Sequence, residues 1–228
     1  MTEAAARAPG PVWVMARRQT AGRGRRGRAW VDPAGNLAAT LVMRPEGGPA
    51  EAAQRSFVAA LALSDALRAL LGPGPRLALK WPNDVMLNGG KVAGILLESS
   101  GQGRQVDYLA IGIGVNLAAV PEAVEATALP PVSVRGETGL DLAPETLLDA
   151  LAAAFARREA QLAAQGFAAI REAWLAEAAH LGQTVTARTV SETVTGTFDT
   201  LAEDGSLILL SAQGRRVIAA ADVYFEGA

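Results

Sequence analysis

Asn88-Gly89-Gly90 stands between two apolar runs, Val85-Met86-Leu87 and Lys91 to Glu98. Asn-Gly is the strongest short-range hairpin signal, because both central positions of a type I′ turn need positive φ. The pair therefore commits its flanking runs to be antiparallel neighbours, and the signals on either side extend them into a meander. Leu77 to Trp81 is extended, and Pro82 keeps that run from continuing as a paired central strand. Gly101-Gln102-Gly103 marks a second turn, and Gln105 to Leu117 follows as a long strand ending in Ile-Gly-Ile-Gly-Val-Asn-Leu. Successive hairpins dictate antiparallel pairing. Upstream, Val12-Trp13-Val14-Met15 and Leu37 to Met43 are further strand candidates.

Helical periodicity appears over 50–71, where Ala60, Leu63, Leu67, Leu70 and Leu71 share a face and Gly72-Pro73 ends the run. It returns over 144–164, with Leu148, Leu151, Phe155 and Leu162, and over 167–179, with Phe167, Ile170 and Trp174. The stretch 118–143 is rich in Pro and Gly and reads as irregular loop. Beyond Leu181-Gly182 the texture changes to short Thr/Val-rich alternating runs, with a hairpin turn at Glu203-Asp204-Gly205-Ser206. Closely spaced short strands of this kind predict a small barrel. The expected class is α+β: a mixed, largely antiparallel sheet flanked by helices over 1–181, followed by a small β domain over 182–228.

The 228 residues suffice for one good-sized core, or one core with a small appendix. Half of them are hydrophobic and 19% charged, which places the chain among globular proteins. The absence of cysteine excludes a disulfide framework, a thiolate nucleophile and a Cys-based zinc site, and a single histidine, His180, cannot form a metal cluster. His180 is assigned to structure, as a favourable interaction at a helix C-terminus. No apolar run reaches the ~18–20 residues that span a bilayer, and the N-terminus lacks the apolar core of a signal peptide, so the expected location is the cytoplasm. Net charge is −2, so basic character is local.

That local character is concentrated in residues 19–30, QTAGRGRRGRAW. Arg23, Arg25, Arg26 and Arg28 are spaced by Gly22, Gly24 and Gly27. Arginine forks onto carboxylate or phosphate, and glycine lets a backbone approach a ligand. The letters fit a dinucleotide fingerprint, but Arg28-Ala29-Trp30-Val31-Asp32-Pro33 is no helix start. They also fit a kinase glycine loop, but neither a His-Arg-Asp nor an Asp-Phe-Gly follows. Gly90-Lys91-Val92 lacks the hydroxyl residue of a P-loop. Three readings stay open on the residues alone: a solvated loop, a weak RNA-binding element, and an anion clamp that orders around a phosphorylated small molecule.

Two further motifs carry polar chemistry in apolar surroundings. In KWPNDVMLNGGKVAGILLES, residues 80–99, Lys80, Asn83, Asp84 and Lys91 bracket the hairpin, while most of the apolar residues are core. Lys91 either snorkels to solvent or meets a buried anion, and the small Ala93 and Gly94 leave room beside it. In Ile111-Gly112-Ile113-Gly114-Val115-Asn116, the two glycines clear one face of a strand. Either a ligand lies flat on that face or a helix packs closely there, and Asn116 either reads a base edge or caps the turn.

GRGRRGRAW, KWPNDVMLNGGKVAGILLES and GIGVN, in this order and spacing over residues 11–117, resemble the biotin protein ligases. The resemblance implies a class II synthetase-like catalytic domain with a C-terminal SH3-like β-barrel. It implies an ATP-dependent ligase that joins biotin to ATP as biotinyl-5′-AMP with release of pyrophosphate. A lysine of a biotin carboxyl carrier domain, the partner within a biotin-dependent carboxylase, then attacks the mixed anhydride and expels AMP. Mg²⁺ would arrive with the ATP, without a dedicated protein metal site.

By the same resemblance, Lys91, Arg25 and Asp84 would carry the catalysis, with Asp84 orienting the incoming lysine or a metal. Gln19, Gly22, Arg23, Gly24, Arg25, Lys91 and Gly94 would bind biotin. Arg23, Arg25, Arg26, Arg28, Trp30, Lys91 and Asn116 would bind the nucleotide. The family also carries a Ser-Thr-Asn segment that touches biotin. Met1-Thr2-Glu3 stands about where that segment ends, so either the true start lies upstream or Thr2 is its remnant. Without an N-terminal helix-turn-helix, the expectation is a ligase with no DNA-binding repressor function, no membrane partner, and a homodimer left open. The alternatives are a lipoate-type acyl ligase and, outside enzymes, an RNA- or nucleotide-binding module; transferases that need a cysteine nucleophile are excluded.

Overall fold

The computed structural model describes residues 10–102, 105–121 and 129–225. Thr2, Gly103 of the second turn and the middle of the 118–143 stretch lie outside them. The chain builds two antiparallel sheets and a layer of helices. The first sheet contains β1 (Val12–Ala16), β2 (Leu37–Met43), β3 (Leu77–Lys80), β4 (Asp84–Leu87), β5 (Gly90–Gln102) and β6 (Gln105–Val115), in the order β1-β2-β6-β5-β4-β3. All of its ladders are antiparallel, so the meander expected over 77–117 is realised. Asn88 (φ 49°) and Gly89 (φ 94°) both take positive φ, as the Asn-Gly turn demands.

The helices are α1 (Pro49–Ala53), α2 (Arg55–Leu71), α3 (Val134–Thr138) and α4 (Pro144–Ala176). The single run read over 50–71 thus contains a break at Gln54, and α4 bends sharply at Gly166 (φ 73°), between the two periodic segments seen in the sequence. α3 falls inside a stretch read as irregular; its start is fixed by the Ser133 hydroxyl, which accepts from the Gly136 N–H at 3.1 Å. His180 lies beyond the end of α4, in left-handed backbone (φ 59°), with its ring stacked on Phe225 at 3.6 Å. It is structural, but through an aromatic stack and not through a helix terminus.

Strand alternation sorts the first sheet into two faces. Leu37, Leu41, Ile95, Ile111, Ile113 and Val115 point into one core with Leu61, Leu63, Leu67, Leu151 and Trp174 of the helices. Gly94, Gly112 and Gly114 fall on the opposite, helix-free face. Close helix packing is therefore not what the two glycines of β6 serve.

The second sheet, β7 (Thr184–Arg188), β8 (Thr193–Leu201), β9 (Leu207–Ser211), β10 (Gly214–Ile218) and β11 (Asp222–Phe225), runs in the order β10-β9-β8-β7-β11. Val185, Phe198, Leu201, Leu209 and Val223 join the same continuous core as the first sheet. Polar contacts also tie the second sheet to the rest: the Trp81 indole N–H donates to the Gly205 carbonyl at 3.0 Å, and Arg171 of α4 donates to that of Leu201 at 3.2 Å. No helix among the described residues is long and apolar enough to cross a membrane.

Candidate active site

The helix-free face of the sheet carries the site. Its floor is β5 and β6, where Gly94 pairs with Gly114. Trp30 lies across both glycines. A Cβ on Gly114 would stand 2.5 Å from the indole and one on Gly94 3.2 Å from it. Such distances forbid a side chain at Gly114, so the flat floor needs glycine for space.

The edge of this floor is built by the KWPND hairpin. The Asn83 amide donates to the Ile95 carbonyl at 2.6 Å and the Ile95 N–H donates back to the Asn83 carbonyl at 2.9 Å. This reciprocal pair fixes the Trp81–Asn83 connection against β5 and sets Asp84 opposite Gly94. Lys91 is held as firmly: its N–H donates to the Pro130 carbonyl at 2.9 Å and its own carbonyl accepts from Val132 at 3.0 Å. The side chains then meet. Lys91 Nζ lies 2.7 Å from Asp84 Oδ1, Lys80 Nζ lies 3.9 Å from Asp84 Oδ2, and Lys91 Nζ also sits 5.7 Å from the centre of the Trp30 ring. Lys91 therefore neither snorkels to open water nor stands alone.

Lys80, noted in the sequence for its place beside the hairpin but given no role, is a full member of this cluster. It is buried, and burial pushes its ammonium below the usual lysine value, against the pull of Asp84. Asp84 is thus shared by two lysines.

Above the floor, residues 19–32 fold back on themselves. Asp32 accepts from the Gln19 N–H at 3.1 Å, Trp30 donates to the Gly22 carbonyl at 3.0 Å, and Gly24 donates to that of Arg28 at 2.7 Å. A Cβ on Gly22 would meet the Trp30 carbonyl at 2.4 Å and the Gln19 side chain at 2.8 Å, so this crossing also requires glycine. Gln19 lies beneath the loop, close to Gly22. The second Asp32 carboxylate oxygen is buried without a hydrogen-bond partner, and burial raises the Asp32 pKa.

The four arginines separate. Arg23 points outward to Glu98 at 3.5 Å, with both side chains mostly exposed. Arg25 turns inward. Burial lowers its pKa from the usual guanidinium value, while Asp222 and Asp84 pull it back up. Arg26 and Arg28 instead meet Asp222 at the start of β11, at 2.9 and 2.7 Å. Asn116, weighed as a base reader, is 3% exposed, and its amide donates to the Val132 carbonyl at 3.1 Å. Its carbonyl oxygen faces the Asn36 amide at 3.5 Å. Asn36 in turn accepts from the N–H groups of Leu117, Ala118 and Ala119. In the structure Asn116 closes the turn after β6.

The site is a cleft with a flat floor, a Lys80–Asp84–Lys91 edge and an arginine roof. Cations outweigh carboxylates there, which suits a ligand carrying a phosphate. No group of three or more metal-ligating side chains occurs among the described residues. Asp84 and Asp222 are each already bound to two cations.

Comparison with known proteins agrees. Residues 5–116 match the Biotin/lipoate A/B protein ligase family, and residues 180–226 match the Biotin protein ligase C terminal domain. The chain is 62% identical over 220 residues, 96% of its length and 92% of the relative's, to a biotin--[acetyl-CoA-carboxylase] ligase of Paracoccus denitrificans. It is 31% identical, over 95% of its length and 66% of the relative's, to the bifunctional ligase/repressor BirA of Bacillus spizizenii. Its fold superposes on a biotin protein ligase of Aquifex aeolicus in complex with biotin and ATP with a TM-score of 0.81 at 26% identity, covering 97% of this chain and 92% of that one. With a fold, a glycine-floored cationic cleft and this likeness along nearly the whole sequence, the chain belongs to the biotin protein ligase family.

Proposed function

We propose that the cleft between the Gly94/Gly114 floor and the arginine loop is where this ligase activates biotin and holds the product for transfer. Biotin is joined to ATP as biotinyl-5′-AMP and then passed to a lysine of a biotin carboxyl carrier domain. The single observation that carries the assignment of residues is the Lys91–Asp84 contact of 2.7 Å at the edge of the glycine floor, with Arg25 turned inward above it.

In the first step a carboxylate oxygen of biotin attacks the α-phosphorus of ATP, and pyrophosphate leaves. Negative charge builds on the phosphoryl oxygens. Lys91 and Arg25 are preorganised donors for it, in a partly dry cleft where such charge is best stabilised. Neither needs to be recruited from solvent, because the backbone of Lys91 is pinned on both sides. Trp30, packed directly on the two glycines, supplies an indole against which a flat ring can stack. Gln19 and the Gly22–Gly24 backbone border it on the loop side.

In the second step the acceptor lysine attacks the acyl carbon and AMP leaves. The amine must shed a proton. Asp84, the carboxylate at the cleft edge beside Lys91 and Lys80, is the group placed to receive it. Mg²⁺ is expected to enter on the triphosphate: with Asp84 and Asp222 engaged by cations, the chain supplies few ligands, which fits an ion that keeps its waters and the substrate phosphates. Residues 1–181 are read as the catalytic part and 182–228 as a β unit with a sheet of its own, packed on a shared core.

The direct test is biotin-dependent ATP–pyrophosphate exchange, followed by transfer to an isolated biotin carboxyl carrier domain. Exchange that requires biotin, and loss of both activities in Lys91→Ala, is the expected result. Exchange indifferent to biotin, or retained by Lys91→Ala, would refute the assignment.

A further inference from the structure

Three side chains of the arginine loop end on two adjacent residues of the distant C-terminal sheet. Arg25 donates to the Ala221 carbonyl at 3.2 Å, Arg26 to Asp222 Oδ2 at 2.9 Å, and Arg28 to Asp222 Oδ1 at 2.7 Å. The partners lie 194 to 196 positions apart in the chain. Each oxygen of one carboxylate takes one guanidinium, and that carboxylate is itself only 21% exposed.

The loop backbone supports the same reading. Arg26 has a φ of 57°, a left-handed conformation that a residue with a Cβ avoids unless its surroundings impose it. Gly27 beside it (φ 74°) completes the tip. Among the described contacts, what holds that tip from outside the loop is Ala221 and Asp222. β11 is in turn firmly set. Asp222 pairs with Arg188 of β7, Val223 is buried, and Phe225 lies between the His180 ring and the ammonium of Lys80, 5.3 Å from its centre. One short strand therefore reaches from the roof of the cleft to the lysine beneath Asp84.

We propose that Asp222 is a positioning residue: a latch that keeps the arginine loop shut, so that the C-terminal sheet governs how long the acyl-adenylate stays in the cleft. Arg26 and Arg28 form the ionic part of the latch, and Arg25 adds a bond to the residue before Asp222. The retention half of this proposal rests on the function proposed above; the latch itself does not. Isolated exposed ion pairs contribute little. Here two charge-assisted bonds converge on one mostly buried carboxylate, which is the stronger arrangement.

The test uses the full chain as wild type, Asp222→Asn and Asp222→Glu. Amide hydrogen exchange of residues 22–29, measured without ligands against β9 as internal reference, should be about tenfold faster in Asp222→Asn, whose side chain keeps its shape but loses its charge, and within about threefold of wild type in Asp222→Glu. A generally loosened protein would accelerate β9 as well. Arg28→Ala approaches the same contact from the loop side, leaves β11 intact, and should reproduce the acceleration. In a second arm, release of preformed biotinyl-5′-AMP should speed up by a similar factor in Asp222→Asn, while its single-turnover formation stays within about threefold. Exchange in both Asp222→Asn and Arg28→Ala within about twofold of wild type would overturn the latch, and faster exchange with unchanged release would overturn its role in retention. A wild-type chain that forms no adenylate would instead refute the function proposed above, while the ligand-free arm would still decide the latch.

Discussion

Gly94 and Gly114 lie on strands whose alternate residues, Ile95 and Ile113, are withdrawn from water against the helices. Across the cleft, Arg26 and Arg28 hang on a single carboxylate of another sheet, and their side chains are 36% and 41% exposed. The floor is held by apolar burial and ladder hydrogen bonds, which do not depend on salt. The roof is held by charge, over a backbone with its own left-handed strain. A ligase of this chemistry must make a reactive anhydride without losing it and then admit a protein substrate. A fixed floor meets the first need, and a roof with weaker, reversible contacts meets the second.

The largest effect should come from the floor's edge. With Lys91 as the cation proposed for the reacting phosphate, Lys91→Ala should lower adenylate formation about a hundredfold or more, on the order of 3 kcal/mol. Biotin-dependent pyrophosphate exchange measures it. The melting temperature should hardly move, because the backbone of Lys91 keeps its bonds to residues 130 and 132. Next in size is Gly114→Val. Its new side chain would occupy the space of the Trp30 ring, 2.5 Å from the position of a Cβ. Overpacking of this kind costs about 1–3 kcal/mol of stability unless Trp30 is displaced, and with Trp30 displaced the affinity for ATP should fall by roughly tenfold in titration calorimetry. Unchanged affinity would mean that the ligand does not lie on this floor.

The roof should respond differently. Arg25→Gly removes both the inward guanidinium and the contact to Ala221. Formation of the adenylate should persist in part while the product escapes. Free biotinyl-5′-AMP in the supernatant should rise by roughly tenfold, corresponding to about 1.4 kcal/mol, and bystander proteins added to the reaction should become biotinylated on lysines. A labelling pattern like that of the wild type would show that the roof does not confine the product.

The two regions were also unequally legible in the sequence. The floor could be read almost completely, because each of its signals is local. Asn88-Gly89 dictates its turn, period-two alternation sorts Ile111 and Ile113 from Gly112 and Gly114, and the motif wording carries Asp84 and Lys91. Asn116 could not be settled from sequence, since capping and base reading ask for the same amide; in the structure that amide donates to the Val132 carbonyl. In the roof the arginines were visible but their division of labour was not. Four guanidinium groups look alike in a string, and Asp222 in Ala-Asp-Val-Tyr-Phe carries no motif that marks it as their partner. Lys80 shows in the sequence only as a charge beside the hairpin, because only the fold brings Phe225 and Asp84 around it. α3 is illegible for a smaller reason: Ser133 as an N-cap is one letter in a Pro- and Gly-rich stretch.

Salt separates the regions without a mutation. Between roughly 0.05 and 0.5 M added salt the screening length contracts to a few ångströms. Amide exchange in the ligand-free loop should then quicken by about threefold, since charge holds the roof. Exchange at Ile95 and Ile113 should stay constant. Equal acceleration in both places would mean that the floor too depends on charge.

The smallest expected effect concerns the one charge buried beneath the floor's edge. Burial lowers the Lys80 pKa, with Asp84 opposing the shift. Between that lowered value and the ordinary 10.5 of a lysine, the unfolded chain binds more protons than the folded one. Stability therefore rises with pH across this interval, with a slope of at most about 1.4 kcal/mol per pH unit from this group. Urea midpoints of wild type and Lys80→Met, compared from roughly pH 8 to 10, isolate the contribution, because every other ionisable group is present in both. The wild type should gain on the variant as pH rises, and added salt should leave the difference nearly unchanged, since a desolvated ammonium lies out of reach of the screening that loosens the roof. A difference that shrinks with pH would mean that Asp84 outweighs desolvation at Lys80. The edge of the floor would then be held by an ion pair, as the roof is, and the contrast between the two regions would narrow to the glycines alone.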